Sequence, residues 1–147
     1  MYAPPSEKSV DKQLSFMLTS SINMLSNVAY RGGRYTIEYA TSRDGAVPGH
    51  EFLVGREPRW QARLLYLYKV LGDTGVIRNE EQFSKLEGDF WEFKAYQIRM
   101  ICYFRPDKRV VITHGCVKKK NRIDREQLRR AARIKQDYEA MMNEKLN

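Results

Sequence analysis

Residues 90–115 read FWEFKAYQIRMICYFRPDKRVVITHG, and this stretch decides the fold. Three segments within it, Phe90 to Lys94, Ile98 to Phe104 and Arg109 to Gly115, are rich in aromatic and β-branched residues, which favour strands. Only short polar breaks separate the three segments, so each strand can turn back along the one before it. The stretch therefore predicts a three-stranded antiparallel meander.

The tight turn at Pro106-Asp107 sets which residues of the last two strands face each other. A loop of two or four residues pairs positions that sum to 213, which places Arg99 opposite His114 with both side chains on one face of the sheet. A loop of three residues places Arg99 opposite Gly115 instead, because a shift by one residue moves every side chain to the other face. The sequence leaves this register open.

A strand and a helix are predicted upstream of the meander. Residues Tyr35 to Thr41 alternate Tyr, Ile and Tyr with Thr, Glu and Ala, which indicates a short strand with one buried face. Pro58 suits the first turn of a helix that runs to about Leu71, where Gly72 and Gly75 stop it. The inward side of this helix consists of Trp60, Leu64, Leu67, Tyr68 and Leu71.

The beginning of the chain is predicted to be a separate helical segment. Apolar residues recur there at helical spacing before the break at residues 31–34, and they are Val10, Leu14, Met17, Leu18, Leu25 and Val28. We therefore divide the chain into an N-terminal helical extension, residues 1–34, and a domain of residues 35–147. Polar residues interrupt the apolar stretch, and Asp11 lies where a signal peptide would be basic, so we expect a cytoplasmic protein.

A basic amphipathic helix is predicted after the meander. Asp124 can cap its first turn, Gln127 has the spacing of a capping box, and Ile123 with Leu128 has the spacing of a hydrophobic staple. Its narrow apolar side consists of Leu128, Ala131, Ala132, Tyr138 and Met142, which leaves the arginines mostly outward. The element order β-α-β-β-β-α predicts an α+β domain, a small antiparallel sheet with helices packed on one face.

Almost all of the net charge lies in one segment. Residues 118–135 read KKKNRIDREQLRRAARIK, and the nine Lys or Arg against two acidic residues give +7 of the formal +8 of the chain. Such clustering favours a polyanionic partner, because a cationic surface gains affinity by releasing the counterions of phosphates. The alternative is a solvated basic helix without a ligand. The mean hydropathy of −0.62 and the lack of an apolar run near twenty residues argue against a membrane span.

The chemistry-bearing residues gather late in the sequence. No Gly-rich phosphate loop, nucleophile elbow or zinc ligand set is present, so we expect no metal or other cofactor, and we expect Cys102 and Cys116 to be reduced. Cleavage of RNA needs only that the nucleotide is held in line and the growing phosphate charge is neutralised, because the ribose 2′-OH is the nucleophile. The cations and aromatics on and after the last strands are Lys94, Arg99, Tyr103, His114, Lys118, Lys119 and Arg122.

Each of these residues also has a plainer interpretation. Arg99 could be a solvent-facing position of a half-exposed sheet, and His114 could be a structural histidine whose near-neutral pKa would suit proton transfer only in a cleft. Tyr96 and Tyr103 could cover the sheet or stack on the bases of single-stranded RNA. Lys118 and Lys119 could be solubilising charge.

The late segments together resemble a known family. The residues that carry the resemblance are Phe90 to Lys94, Ile98 to Phe104, Val111 to Gly115 and Lys118-Lys119, and they are similar to the C-terminal half of HigB/RelE-type toxins of bacterial toxin–antitoxin pairs. Upstream, Asp44-Gly45 with Glu51-Phe52-Leu53, and Leu64-Leu65 ending at Gly72, are similar to the family's first strand, short helix and second helix. The resemblance spans roughly Tyr35 to Met142 and lies in order and spacing.

The resemblance implies a RelE-like, microbial ribonuclease-like fold and a metal-independent endoribonuclease that cuts mRNA on the ribosome. It also implies a cognate antitoxin that silences the enzyme and through which alone the toxin meets operator DNA. By position, Arg99 matches the strand arginine that contacts the scissile phosphate, and Lys94 matches a basic residue of the preceding strand. Lys118 and Lys119 match the basic pair that binds the RNA backbone. The chain departs from the family at Lys94, where arginine is usual, and at Asp124, where proline is frequent.

We accordingly expect a cytoplasmic toxin without membrane contact that inhibits translation. The residues expected to act in catalysis are Arg99, Lys94, His114 and Tyr103, and those expected to bind RNA are Lys118, Lys119, Lys120, Arg122, Arg125 and Arg129. One alternative is a non-enzymatic toxin of RelE/ParE fold that inhibits a protein target such as DNA gyrase. Another is a plain RNA-binding module, for which the basic segment suffices.

Overall fold

The computed structural model describes residues 27–119 and 123–146. The strands are β1 (Val28–Arg31), β2 (Thr36–Tyr39), β3 (Phe83–Lys85), β4 (Phe90–Ala95), β5 (Ile98–Arg105) and β6 (Arg109–Val117). The helices are α1 (Pro48–Val54), α2 (Pro58–Thr74) and α3 (Arg125–Leu146). No helix among these residues is long and apolar enough to cross a bilayer.

Within the described residues the strands form one sheet in the order β1-β2-β6-β5-β4-β3. The pair β2–β6 is parallel and every other neighbouring pair is antiparallel. The predicted meander is confirmed as β4, β5 and β6, which lie side by side at the centre of the sheet. The α+β class is also confirmed, and the arrangement is consistent with a RelE-like fold.

The helices cover both faces of the sheet, which differs from the expected single face. Met100 and Cys102 belong to the larger apolar cluster with residues of α1 and α2. Ile101 and Tyr103 alternate with them and belong to a second cluster with Ala131 and Tyr138 of α3. A strand buried on both faces lacks the polar–apolar alternation that marks a solvated face, and β5 is accordingly apolar without interruption from Met100 to Phe104.

Strand β2 likewise has two buried faces, where the sequence predicted one. Ile37 and Tyr39 join the larger cluster, while Glu38 and Ala40 are buried on the other side. Tyr138 of α3 donates a hydrogen bond to the Glu38 carboxylate, and this contact satisfies a polar group that the alternation had assigned to solvent.

The predicted N-terminal helix falls mostly on residues 1–26, which lie outside the described residues. Its last predicted position, Val28, lies in strand β1 instead, which pairs with β2. The predicted helix at Pro58 is confirmed, but it continues through Gly72 to Thr74. Gly75 ends it in the left-handed conformation at φ 83°, with its N–H bonded to the Leu71 carbonyl.

The pairing of β5 with β6 shifts by one residue within the strands, which the loop length alone does not predict. Pro106, Asp107 and Lys108 form a three-residue loop, with Lys108 at φ 63°, and Arg105 faces Arg109. An irregularity between Ile101 and Cys102 then shifts the pairing by one residue. Arg99 therefore faces Cys116, and His114 faces Ile101. The two direct pairings considered for Arg99 are wrong, but Arg99 and His114 do share one face.

Candidate functional site

A cleft of about 450 Å³ opens at the end of the sheet where β4, β5 and β6 meet the first turn of α3. We call it the sheet-end cleft. Its charged lining residues are the cations Lys94, Arg99, Lys118, Lys119 and Arg130 and the carboxylates Glu92 and Asp124. Cations outnumber carboxylates, and the nearby N-terminus of α3 adds positive potential, so the cleft favours an anionic ligand.

Arg99 is the most firmly held cation of the cleft. Its Nη1 donates to the carbonyl oxygens of Tyr96 at 3.1 Å and Ile98 at 2.8 Å, and its Nε lies 3.3 Å from Glu92 Oε1. The side chain is 12% exposed, and burial lowers its pKa while Glu92 raises it. Within the described residues Nη2 makes no hydrogen bond, so a preoriented N–H edge remains for a ligand.

Glu92 is a buried carboxyl group on the wall of the cleft, and sequence reasoning did not select it. Burial raises its pKa, and the surrounding charges of Lys94, Arg99 and Lys118 act in the opposite direction. A signal for it existed, because the two-residue turn at Tyr96-Gln97 sets Lys94 opposite Arg99 and puts Glu92 on the same face. The pair thus places a guanidinium group, which can bind an anion, beside a carboxyl group, which can accept a proton.

The lysines of the cleft are fixed to different degrees. Lys94 Nζ donates to the Glu80 carbonyl oxygen at 2.7 Å, which anchors the ammonium at the rim. The backbone N–H of Lys118 donates to the Gln97 carbonyl at 2.6 Å, so the exit of β6 is tied to the β4–β5 turn. Lys119 is exposed. The structure thus brings Arg99 and Lys94 together with Lys118 and Lys119 in one place.

His114 is fully buried beneath the cleft and does not line it. Its Nε2 lies 2.9 Å from Gln127 Oε1 and its Nδ1 lies 3.1 Å from Thr113 Oγ1. Burial lowers its pKa to about 4, so the ring is neutral near pH 7. We therefore correct the expected role in proton transfer: this histidine connects β6 to the first turn of α3.

That connection also changes the expected start of α3. Asp124 caps the helix as predicted, since its Oδ1 accepts the Glu126 N–H at 3.0 Å. The side-chain oxygen of Gln127 is bonded to His114 and does not close the predicted capping box. The first turn of α3 is thus held over the sheet, where Gln127 and Arg130 become lining residues. Arg130 was not selected from the sequence, because its role depends on this docking.

Tyr103 is also enclosed, and its expected place in catalysis is corrected. The residue is 1% exposed and its hydroxyl donates to Glu139 Oε2 at 2.7 Å. Burial and the neighbouring carboxylate raise the pKa of its hydroxyl. Its ring packs edge-to-face on Phe90 under α3, so it is part of the smaller apolar cluster.

The basic residues expected to bind RNA divide into separate groups. Arg125 and Arg129 lie on another side of α3, around a smaller hollow beside Phe90 and Leu128. Arg125 is 3.9 Å from Glu87, Arg129 is 3.0 Å from Glu126, and both arginines are exposed. Lys120 and Arg122 lie outside the described residues. The structure thus brings Lys118 and Lys119, but not Arg125 and Arg129, to the sheet-end cleft.

The family model described as phage-derived protein Gp49-like (DUF891) matches residues 51–136. The matched segment is more than half of the 147 residues. It contains α2, the strands β3 to β6, most of α1 and every charged residue that lines the sheet-end cleft. No curated protein matches the chain.

Proposed function

The chain belongs to the phage-derived Gp49-like (DUF891) family, a HigB-like toxin family, and on this premise we propose that it is an endoribonuclease of HigB/RelE type that cuts mRNA on the ribosome. As a toxin it would inhibit translation and be silenced by a cognate antitoxin, through which alone it meets operator DNA. One observation carries the proposal: Arg99, Lys94 and Lys118 surround the buried carboxyl of Glu92 in one open cleft.

Phosphate binding follows from the charges of the cleft. The scissile phosphate would accept hydrogen bonds from the open edge of Arg99, with the ammonium groups of Lys94 and Lys118 nearby. Negative charge grows on the phosphoryl oxygens during cleavage, so fixed donors stabilise the transition state more than the ground state. Because backbone carbonyls hold Arg99 in place, little reorganisation is needed.

Glu92 is the residue we propose as the base. Its carboxylate takes the proton of the ribose 2′-OH, the 2′-oxygen forms a bond to phosphorus, and the bond from phosphorus to the 5′-oxygen breaks. The leaving 5′-oxygen takes a proton from an ammonium group of Lys118 or Lys119, or from water. The products are a 2′,3′-cyclic phosphate and a 5′-hydroxyl, and the charges balance without any other reactant.

Binding to the ribosome would use cations outside the cleft together with Lys119 at its rim. Arg125 and Arg129 are exposed near the start of α3, and Lys119 lies at the rim of the cleft. Contacts of such side chains with the phosphates of ribosomal RNA would orient the cleft towards the mRNA. Lys120 and Arg122 belong to the same proposal on the basis of the sequence alone.

The proposal is tested in a reconstituted translation system by following the cleavage of a defined mRNA. Arg99→Ala should lower the cleavage rate by at least about 100-fold, since removing one preorganised charge-stabilising donor costs about that much. Arg99→Lys keeps the charge without the planar fork and should retain only part of the activity. Arg78→Ala, at an exposed position away from the cleft, is the matched control.

Cleavage by the Arg99→Ala protein at the rate of the control would remove Arg99 from the mechanism. The thermal unfolding midpoint of each variant separates loss of chemistry from loss of fold. A supercoiling assay with DNA gyrase tests the protein-target alternative: inhibition of gyrase with the mRNA left intact would replace the nuclease by that function. If the unaltered protein binds RNA but does not cleave it, the result supports the alternative of a plain RNA-binding module.

A further inference from the structure

The turn between β4 and β5 presents an aromatic ring at the end of the sheet. Tyr96 is 47% exposed and has a φ of 55°, although bulky residues rarely adopt positive φ. Small residues such as Gly, Asn or Asp suit such a two-residue turn better. A strained turn that holds an exposed tyrosine is a functional candidate, because such strain concentrates at binding sites.

The Tyr96 ring is supported from the side of α2. Trp60 stacks on it with ring centroids 5.6 Å apart and planes inclined by 14°, and Trp60 packs in turn against the larger apolar cluster. The Arg59 guanidinium carbon lies 5.1 Å from the centroid of the Tyr96 ring. We call Arg59, Trp60 and Tyr96 the turn platform. It combines a preordered aromatic surface with a cation.

The turn platform is bonded directly to the sheet-end cleft. The Tyr96 carbonyl accepts a hydrogen bond from Arg99 Nη1, and the next carbonyl, that of Gln97, accepts the N–H of Lys118. The same two-residue turn therefore positions the exposed ring and two cations of the cleft. The backbone of Tyr96 is thus in direct contact with Arg99, the cation proposed to bind the phosphate.

We infer that the turn platform is a subsite for one nucleobase of single-stranded RNA next to the phosphate bound at Arg99, and this inference rests on the proposed function. Aromatic rings hold unpaired bases by stacking, without reading their hydrogen-bonding edges, and a nearby guanidinium strengthens the contact. The subsite would therefore accept any of the four bases. It would fix the path of the RNA and leave the proton transfer to the cleft.

The test is single-turnover cleavage of short synthetic mRNAs bound to ribosomes. Tyr96→Gly removes the ring and keeps a residue that tolerates the positive φ, so it separates stacking from backbone strain. It should cleave about 5- to 160-fold more slowly, the range expected when one base–aromatic stack is removed. Tyr96→Phe keeps the ring and should cleave at the unaltered rate.

A series of mRNAs with a single abasic nucleotide at each position around the cleavage site then locates the stacked base. At one position the unaltered protein and the Tyr96→Gly protein should cleave equally slowly, because the contact is already absent. Two results would overturn the subsite. One is that Tyr96→Gly cleaves the intact mRNA as fast as the unaltered protein does. The other is that Tyr96→Gly is slower than the unaltered protein by the same factor at every abasic position. Loss of cleavage with Arg99→Ala in that case leaves the proposed nuclease standing, whereas no cleavage by the unaltered protein removes both.

Discussion

Among the residues of the cleft, Glu92 has a carboxyl group that is both buried and paired with Arg99. Burial of the Glu92 carboxyl raises its pKa, which makes the carboxylate a better proton acceptor than an exposed one. The charges of Lys94, Arg99 and Lys118 act in the opposite direction on this pKa and favour the ionised form. The arrangement thus balances basicity against availability, as a general base requires.

We expect Glu92→Gln to slow mRNA cleavage by at least about 100-fold, the usual contribution of a general base. Only the ionised carboxyl accepts a proton, so the cleavage rate of the unaltered protein should fall as pH drops through the raised pKa of Glu92. A rate profile measured from neutral to acidic pH should show this decline, and the profile of Glu92→Gln should lack it. Glu87→Gln, at an exposed carboxyl outside the cleft, is the control. The same acidic decline in Glu92→Gln would exclude the role.

The residues of the site were predictable from the sequence only where local geometry places them. Arg99 and Lys94 face each other across a two-residue turn, so their proximity follows from the spacing. His114 depends on the irregularity at Ile101 and Cys102 and on the docking of α3, neither of which the sequence pattern contains. Burial then turned a candidate acid–base group into a structural one.

At the level of elements, the β1–β2 hairpin is packed closely on α2. The N–H groups of Arg34 and Tyr35 both donate to the Gly72 carbonyl oxygen. A Cβ added to Gly32 would lie 2.1 Å from the Gly72 backbone, whereas a Cβ added to Gly33 would meet nothing within 4 Å. Two adjacent glycines thus differ in their surroundings, and only Gly32 is a packing requirement.

We expect Gly32→Ala to lower the free energy of unfolding by about 2–3 kcal/mol, because backbone must move to admit the methyl group. Gly33→Ala should change it by less than about 1 kcal/mol, since its site is open and its φ is not positive. Urea unfolding of both variants beside the unaltered protein measures the difference. Equal decreases for the two substitutions would contradict the packing described for this hairpin.

The elements with a strong local pattern were the ones predicted correctly. Strands β4 to β6 and helix α2 have the periodicity or the proline signal of their type, so local sequence is sufficient. Strand β1 is not predicted, because Val28 continues the helical spacing of the apolar residues before it and only pairing with β2 decides. The division of the helices between two faces is likewise a property of packing between distant segments.

For the molecule as a whole, the structure separates two cationic surfaces that belong to one continuous basic segment of the sequence. Lys118 and Lys119 line the sheet-end cleft, and Arg125 with Arg129 lies around the smaller hollow. One segment of the chain therefore supplies two separate basic surfaces. Composition predicts the charge, but only the docking of α3 on the sheet determines which surface each cation joins.

We expect the double variants Lys118→Gln/Lys119→Gln and Arg125→Gln/Arg129→Gln to differ in their effect on the cleavage rate. Each should weaken binding to ribosomes. The slope of the logarithm of the binding constant against the logarithm of the salt concentration should become shallower by about 0.7–0.9 for every phosphate that is no longer neutralised. Only the cleft pair should also slow cleavage once ribosomes are saturating. Cosedimentation at several salt concentrations and single-turnover cleavage give the two quantities. An unchanged salt dependence for the arginine pair would remove Arg125 and Arg129 from the ribosome interface.

The parallel pairing of β2 with β6 has a consequence for the synthesis of the protein. Residues 36–39 cannot complete their ladder until residues 109–112 have been made, and the cleft is not closed until Arg130 follows. Pairing between such distant segments forms late, because the intervening chain must first be brought together. We therefore expect the nascent chain to form no complete sheet-end cleft until α3 has begun to emerge from the ribosome that makes it.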